Sequence, residues 1–341
     1  MANQAQTQKG DPMTEPLWRP TDEQIRNSQM FKFMTHLNTR LGTNHTGYAD
    51  LHQWSVNHIA DFWEAWWNYA DIIASQPWEN VIDDVTRMPG AKWFEGARLN
   101  FAENLLRYRD DGKAIIFYGE DKVRRELTYT QLYAETAQLA AGLRAAGVGV
   151  GDRVVGFMPN LPETIIAMLA ATSLGATWSS CSPDFGIKGV LDRFGQIRPK
   201  VLFTADGYWF KGRRIDCLER VEKIVAAIDS LEQVVVVPYV SEAPAIGSIA
   251  RSILLDDFKT GTPDDGLEFC QLPFDHPLYI MYSSGTTGLP KCMVQGAGGI
   301  LLHHLKELIL HTDLQRQDTI FYFTTCGWMM WNWLTASLGA G

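Results

Sequence analysis

The sequence is short of the features that would commit a chain to a membrane, a disulfide scaffold or a polyanion. Across its 341 residues no apolar run approaches the ~20 needed to cross a bilayer, and the start MANQAQTQKGDP lacks the apolar core of a secretory signal. No Lys/Arg block of the kind that tracks a phosphate backbone is present, and the formal net charge is -9. Nucleic acid is therefore not an expected partner, and any anionic ligand has to be held locally. The five cysteines, Cys181, Cys217, Cys270, Cys292 and Cys326, are scattered and contain no C-x-x-C pair, which argues against a disulfide framework or a zinc site. Reduced thiols and a cytoplasmic location are the matching expectation. His303 and His304 are adjacent, so on a helix they point to different sides, which argues against a shared metal. Both read as surface residues, and no residue is assigned to a metal.

What is present is an ordinary globular composition, 46% hydrophobic and 20% charged, in a chain longer than one core usually organises. Four segments are expected. Residues 1–50 form a polar tail and extension, the first fifteen or so disordered, without sustained periodicity. Residues 51–113 form a helical segment, in which Trp63, Trp66, Trp67, Ala70 and Ile73 fall at helical spacing. Such a stripe is either a core face or an aromatic ligand box; packing is the plainer reading, because each ring buries a large apolar area.

Residues 114–240 and 241–341 are expected as two α/β sub-domains, since short β-branched runs alternate there with helical patterns. Thr128 and Gln131 make a capping box, and Leu132, Leu139, Ala140 and Leu143 form the stripe of a helix that Gly147 ends. RVVGF is a strand, Pro162 to Leu174 a helix stopped by Gly175, and ATWSS the next strand. Pro183 and Asp184 open a further helix through Phe194, and VLFTA, LERVEKIVAAI and VVVVP follow as strand, helix and buried strand. SEAPAIG and TGTPDDG read as surface loops or a junction. The fold class is α/β, with mostly parallel sheets flanked by helices and a helical N-terminal extension.

Leu278 to Met293, LYIMYSSGTTGLPKCM, carries the strongest chemical signal. An apolar strand runs into a loop where Gly285 and Gly288 let backbone N–H groups turn inward around an anion. Ser283, Ser284, Thr286 and Thr287 add hydroxyls, Lys291 adds a point charge, and Pro290 limits the entropy lost on ordering. The spacing is not that of a Walker A loop, which requires G-x-x-x-x-G-K-[ST]. A loop of Gly, Ser and Thr alone is equally a flexible turn; the complete string is more specific.

YSSGTTGLPK resembles the phosphate loop of the adenylate-forming superfamily, and NFAENLL, GDRVVGFMPNLPETIIAMLAATSLGA and GGILLHHLKELILH extend the resemblance over about Asp61 to Gly341. The resemblance implies an incomplete adenylate-forming large domain and an ATP-dependent ligase. In that superfamily the loop holds the β- and γ-phosphates of ATP, a carboxylate attacks the α-phosphorus, and CoA displaces AMP from the acyl-adenylate. Mg²⁺, ATP and CoA are the implied cofactors. In-line phosphoryl displacement asks the protein mainly for positioning and charge stabilisation, which Lys291 and loop amides can supply.

Within the superfamily the chain looks like the acetyl-CoA synthetase branch, and SSCSPDFG with TTCGWMMWN resembles its acetoacetate-activating members. That likeness makes Trp328, Met329 and Met330 the acyl-pocket candidates, with adaptable Met side chains suited to a slightly longer acid. The alternative is that WMMWNW is core at a strand–helix junction. Arg213 and Arg214 resemble a basic pair beside the 3′-phosphate of CoA, or are solvated surface. Gln295 and Ala297 depart from the resemblance, which leads one to expect His there. Other readings are an acetyl- or propionyl-CoA synthetase, an inactive nucleotide-binding fragment and an interaction module. The sequence ends at LGAG, near the middle of the resembling enzymes, so the piece as given is expected to be inactive alone.

Overall fold

In the computed structural model, residues 16–261, 266–283 and 288–341 are described. The expected tail over residues 1–15 lies outside them.

Seven strands build one sheet: β1 (Arg153–Phe157), β2 (Thr177–Cys181), β3 (Val201–Ala205), β4 (Gln233–Val237), β5 (Ser252–Leu254), β6 (Pro277–Ser283) and β7 (Lys291–Gly296). Their spatial order is β5-β4-β3-β1-β2-β6-β7. β1 to β6 are parallel, and β7 runs antiparallel to β6. The register sets Val155 opposite Ser179 on one side and Leu202 on the other.

The central strands β1, β3 and β4 are almost wholly apolar because both faces of the sheet are covered there. Successive strand residues point to opposite faces. Val154, Val201 and Val235 enter the core under helices α3 (Tyr129–Ala145) and α4 (Pro162–Ser173). Val155, Leu202 and Val234 enter a second core with Val190 and Phe194 of α5 (Ile187–Ile197) and Val221, Ile224 and Val225 of α6 (Leu218–Ala227).

The capping signals operate as expected. Thr128 and Gln131 exchange both capping-box bonds, Pro162 occupies the first turn of α4, and Gly147 and Gly175 follow their helices at φ +74° and +80°. α5 begins later than expected, at Ile187, because Ser182 to Phe185 close a turn through the Phe185 N–H to the Ser182 carbonyl. The boundary expected at 240/241 does not separate two sheets: β4 pairs with β5 and β2 pairs with β6 across it. Strand pairing over that distance leaves no trace in local periodicity.

Two N-terminal helices matter for the core, α1 (Gln29–Leu41) and α2 (Ile59–Tyr69). α1 lies in the stretch expected as an extension without sustained periodicity, yet Met30, Phe33, Met34 and Leu37 recur at helical spacing and the last three are buried. The aromatic stripe of α2 is packing. Trp67 stacks on Phe94 at 4.8 Å and Phe274 at 6.2 Å, and Trp66 donates its indole N–H to the Leu302 carbonyl at 3.0 Å. After α2 the segment to residue 113 is not helical throughout. Strands Ala74–Gln76, Asn80–Ile82, Trp93–Glu95 and Arg98–Leu99 are two or three residues long, too short to register as alternation.

Helix α7 (Ala297–Lys306) follows β7 without a break and corrects the reading of its histidines. His303 is exposed, but His304 is buried with Leu301 and Leu305, one turn apart on the same face. No helix of the described residues is long and apolar enough to cross a membrane.

Candidate active site

Parallel strands deliver their carboxyl ends to one edge of a sheet, and the candidate segments named from the sequence are attached there. From β1 the chain leads to Met158, Pro159 and Asn160, and from β2 to Ser182 and Pro183. β3 leads into a hairpin, Gly207–Phe210 paired with Arg213–Asp216. β6 ends at Ser283, which pairs with Lys291, so the expected phosphate loop closes at the same edge. Ligands of open α/β sheets bind at this edge, where strand order reverses. Here β1 is followed by β2 on one side and β3 on the other.

Ser283 is half-buried at the end of β6 and Lys291 is exposed at the start of β7. Gly288 is exposed at φ +95°, a conformation other residues rarely adopt. Ser284, Gly285, Thr286 and Thr287 lie outside the described residues. Gln196 of α5 donates its side-chain N–H to the Pro290 carbonyl at 2.9 Å, which ties the exit of the loop to the sheet's helical layer.

Behind the loop, Tyr282 is pushed well above the usual phenol range by burial. It remains a neutral phenol hydrogen-bonded to the Ser179 hydroxyl at 3.0 Å. The Arg193 guanidinium lies 5.7 Å from the Tyr282 ring and 4.6 Å from that of Phe185, placing a fixed cation near the end of β6.

Trp328 caps helix α8 (Met329–Thr335), which opens with Met329 and Met330. Trp328 is 63% and Met329 49% exposed, Met330 is half-buried, and Trp331 is fully buried. The WMMW string thus divides between an exposed turn and core. The turn is fixed from beneath by three contacts to the β1 and β2 ends. Ser180 donates to the Cys326 carbonyl at 2.5 Å, the Cys326 thiol donates to the Met158 carbonyl at 2.9 Å, and the Trp331 indole donates to Asn160 Oδ1 at 2.9 Å. Burial raises the Cys326 thiol far above its ordinary range and Cys181 to about 12, so neither supplies a thiolate nucleophile.

Arg213 and Arg214 are exposed on the hairpin after β3, with Arg214 opposite Trp209. β3 lies three strands from β6, roughly 15 Å at ~4.8 Å per strand, so the pair is not in the phosphate loop's immediate surroundings. Gln295 sits within β7 opposite Tyr279, and Ala297 is buried in the first turn of α7.

A cavity of about 780 Å³ opens at the β1/β3 switch point, lined among others by Asn160, Tyr208, Trp209, Phe323 and Trp331. Trp328 to Met330 and the arginine pair are not part of its lining. Among the described residues no three His, Cys, Asp or Glu side chains group as metal ligands. No such cluster therefore marks where the Mg²⁺ that the resemblance implies would be held.

Sequence alone leaves Asn160, Ser179, Ser180 and Arg193 without roles. The signal nearest to them is the SSCSPDFG string itself, which marks a resemblance but assigns no function to its side chains.

The acetyl-coenzyme A synthetase N-terminus family model matches residues 48–105. Acetoacetyl-coenzyme A synthetase of Rhizobium meliloti (strain 1021) is 48% identical over 327 residues, covering 96% of this chain and 50% of that protein. Acetoacetyl-CoA synthetase of Danio rerio is 46% identical over 335 residues, 95% of this chain and 49% of the relative. A malonamoyl-CoA synthetase of Penicillium aethiopicum is 40% identical over 340 residues, 96% of this chain and 47% of the relative. The solved acetoacetyl-CoA synthetase from Streptomyces lividans superposes with a TM-score of 0.90 at 41% identity, covering 96% of this chain and 50% of that one. The chain spans about half the length of the relatives it matches. The AMP-binding enzyme family model matches residues 101–341, and the chain belongs to that family.

Proposed function

We propose that this chain is the part of an acid–thiol ligase that receives ATP and the acid, in a protein that forms acetoacetyl-CoA from acetoacetate, ATP and CoA through an acyl-adenylate. The observation that carries the proposal is the attachment of the Ser283–Lys291 connection and the Trp328–Met330 turn to the same edge of one parallel sheet. Identities of 48% and 46% to acetoacetyl-CoA synthetases over nearly the whole chain support the choice of acid. The acetoacetyl and malonamoyl groups named for the relatives are both short and carry a second carbonyl two carbons from the first. The acid class is therefore a small 3-oxo acid.

In this reading Lys291 and the backbone amides of the loop, with the hydroxyls of Ser283, Ser284, Thr286 and Thr287, hold the triphosphate tail. They neutralise charge that grows on the leaving pyrophosphate. Gly285 and Gly288 let the backbone approach. Trp328, Met329 and Met330 wall the acyl group and hold its carboxylate in line with the α-phosphorus, which accounts for rate by orientation. Arg213 and Arg214 are the proposed contacts for the CoA phosphate, reached across the sheet edge. Mg²⁺ would supply further charge neutralisation when bound with ATP. A cytoplasmic location belongs to the same reading, supported by free cysteines among the described residues.

The test is acetoacetate-dependent exchange of pyrophosphate into ATP by the complete protein that the gene encodes. Lys291→Ala is expected to lower exchange by about a hundredfold, the scale for losing one preorganised charge-stabilising group. Unchanged exchange in that variant would remove the role given to Lys291, and absent exchange in the unmodified protein would remove the ligase reading.

A further inference from the structure

Neighbouring serines on β2 reach in different directions. Ser179 donates its hydroxyl to the Ile280 carbonyl at 2.7 Å and shares a 3.0 Å hydrogen bond with the Tyr282 hydroxyl, both on β6. Ser180 donates to the Cys326 carbonyl at 2.5 Å, 146 residues further along the chain. Alternation along a strand makes this division geometrically necessary, since successive side chains leave the sheet on opposite faces.

Each contact sits close to a segment with an assigned role. Tyr282 immediately precedes Ser283, the first residue of the proposed phosphate cradle, and Cys326 precedes Trp328 by a single glycine. A Cβ on that glycine, Gly327, would lie 3.3 Å from the Ser182 backbone nitrogen, so the turn is pressed against the end of β2. Ser180 is itself held: the Trp178 indole N–H reaches its oxygen at 3.3 Å, and Trp178 is fully buried. The Trp178 ring is lodged where a Cβ on Gly156 would come within 2.8 Å.

We infer that Ser180 is a positioning residue for acid selectivity, fixing the height of the Trp328–Met330 wall through the Cys326 carbonyl, while Ser179 separately fixes the strand that feeds the phosphate loop. The inference rests on the ligase reading above. It gives the SSCSPDFG string a physical role, in which one strand end sets the separation of the two substrate segments, with one hydroxyl for each.

Two variants that each lose one hydroxyl from the same strand make the test internal. In the complete protein, Ser180→Ala is expected to raise the acetoacetate KM about fivefold and shift the acetoacetate-to-acetate kcat/KM ratio by a similar factor, the scale of one lost hydrogen bond. Its ATP KM is expected to stay within about twofold. Ser179→Ala is expected to do the reverse, raising the ATP KM about fivefold and leaving the acid ratio in place. Ser180→Thr, which keeps the hydroxyl, is expected to restore the ratio, and Ser180→Cys, with a weaker donor, to fall between. If Ser180→Ala moves both KM values equally, or if Ser179→Ala shifts the acid ratio as much as Ser180→Ala does, the division of labour is wrong. An unmodified protein with no acid-dependent exchange overturns the ligase reading and this inference with it; exchange without the split overturns only the inference.

Discussion

Acidification is expected to weaken this fold through one buried imidazole. His304 lies in α7, directly after the strand that begins at Lys291, and is 4% exposed. Burial, reinforced by neighbouring His303 and opposed by Glu307, lowers its pKa from 6.5 to about 4. Its Nδ1 is buried without a hydrogen-bond partner among the described residues, so the protonated ring has nothing to receive its second proton.

The folded value lies below the unfolded one, so between them the unfolded chain binds more protons and stability falls as pH falls. The contribution is whole above 6.5 and lost on the way down to about 4. At 1.36 kcal/mol per unit, about 2 kcal/mol is gone by pH 5 and about 3 kcal/mol by pH 4. Urea unfolding at pH 7, 5 and 4 is the assay, with His304→Gln as the non-titrating comparison. The variant carries its own fixed offset, so the quantity read is the difference in pH dependence: His304→Gln is expected to lose about 3 kcal/mol less than the parent between pH 7 and 4. Parallel pH profiles for the two proteins would refute the reasoning, because they would mean that His304 is either solvated or already charged in the fold.

Met329→Trp is expected to shift preference toward acids shorter than acetoacetate by shrinking the open wall, read as the acetate-to-acetoacetate kcat/KM ratio; an unchanged ratio reassigns Met329 to the surface. Gly298→Ala is expected to cost about 1–3 kcal/mol by overpacking. Its Cβ would fall 2.1 Å from the Phe274 ring, which cannot retreat because it packs against Phe94 at 4.9 Å. Gly299→Ala, whose Cβ meets nothing within 4 Å, is the control, and equal melting temperatures for the two variants would contradict the packing described here.

Much of the fold is legible along the chain where one turn or one strand contains its own cause. The Thr128–Gln131 capping box, Pro162 in a first helical turn, Gly147 and Gly175 at helix ends, and the apolar runs of β1, β3 and β4 all report conditions satisfied within a few residues. The proposed anion-binding reading of the segment ending at Lys291 likewise rests on local causes, glycine freedom and a nearby charge. β7 itself is not. KCMVQG has no alternation to mark it, and it becomes a strand because β6 offers an edge on which it can pair back.

Burial and partnership required the folded chain. His304 reads as a surface histidine until α7 turns the Leu301 and Leu305 face inward and carries it along. Trp331 and Trp328 are indistinguishable by composition, yet one is buried and bonded to Asn160 while the other stands in the open. Ser179 and Ser180 are two hydroxyls in a strand until strand order brings Ile280 to one and Cys326 to the other. Sequence by itself determined the alternating α/β pattern and the caps of α3 and α4, since those depend on backbone geometry and side-chain type within a short window. Tertiary structure alone decided that Ser283, Lys291, the Trp328–Met330 turn and the two serines beside them share one sheet edge, because that edge is assembled from parallel strands up to 130 residues apart, from Arg153 to Ser283.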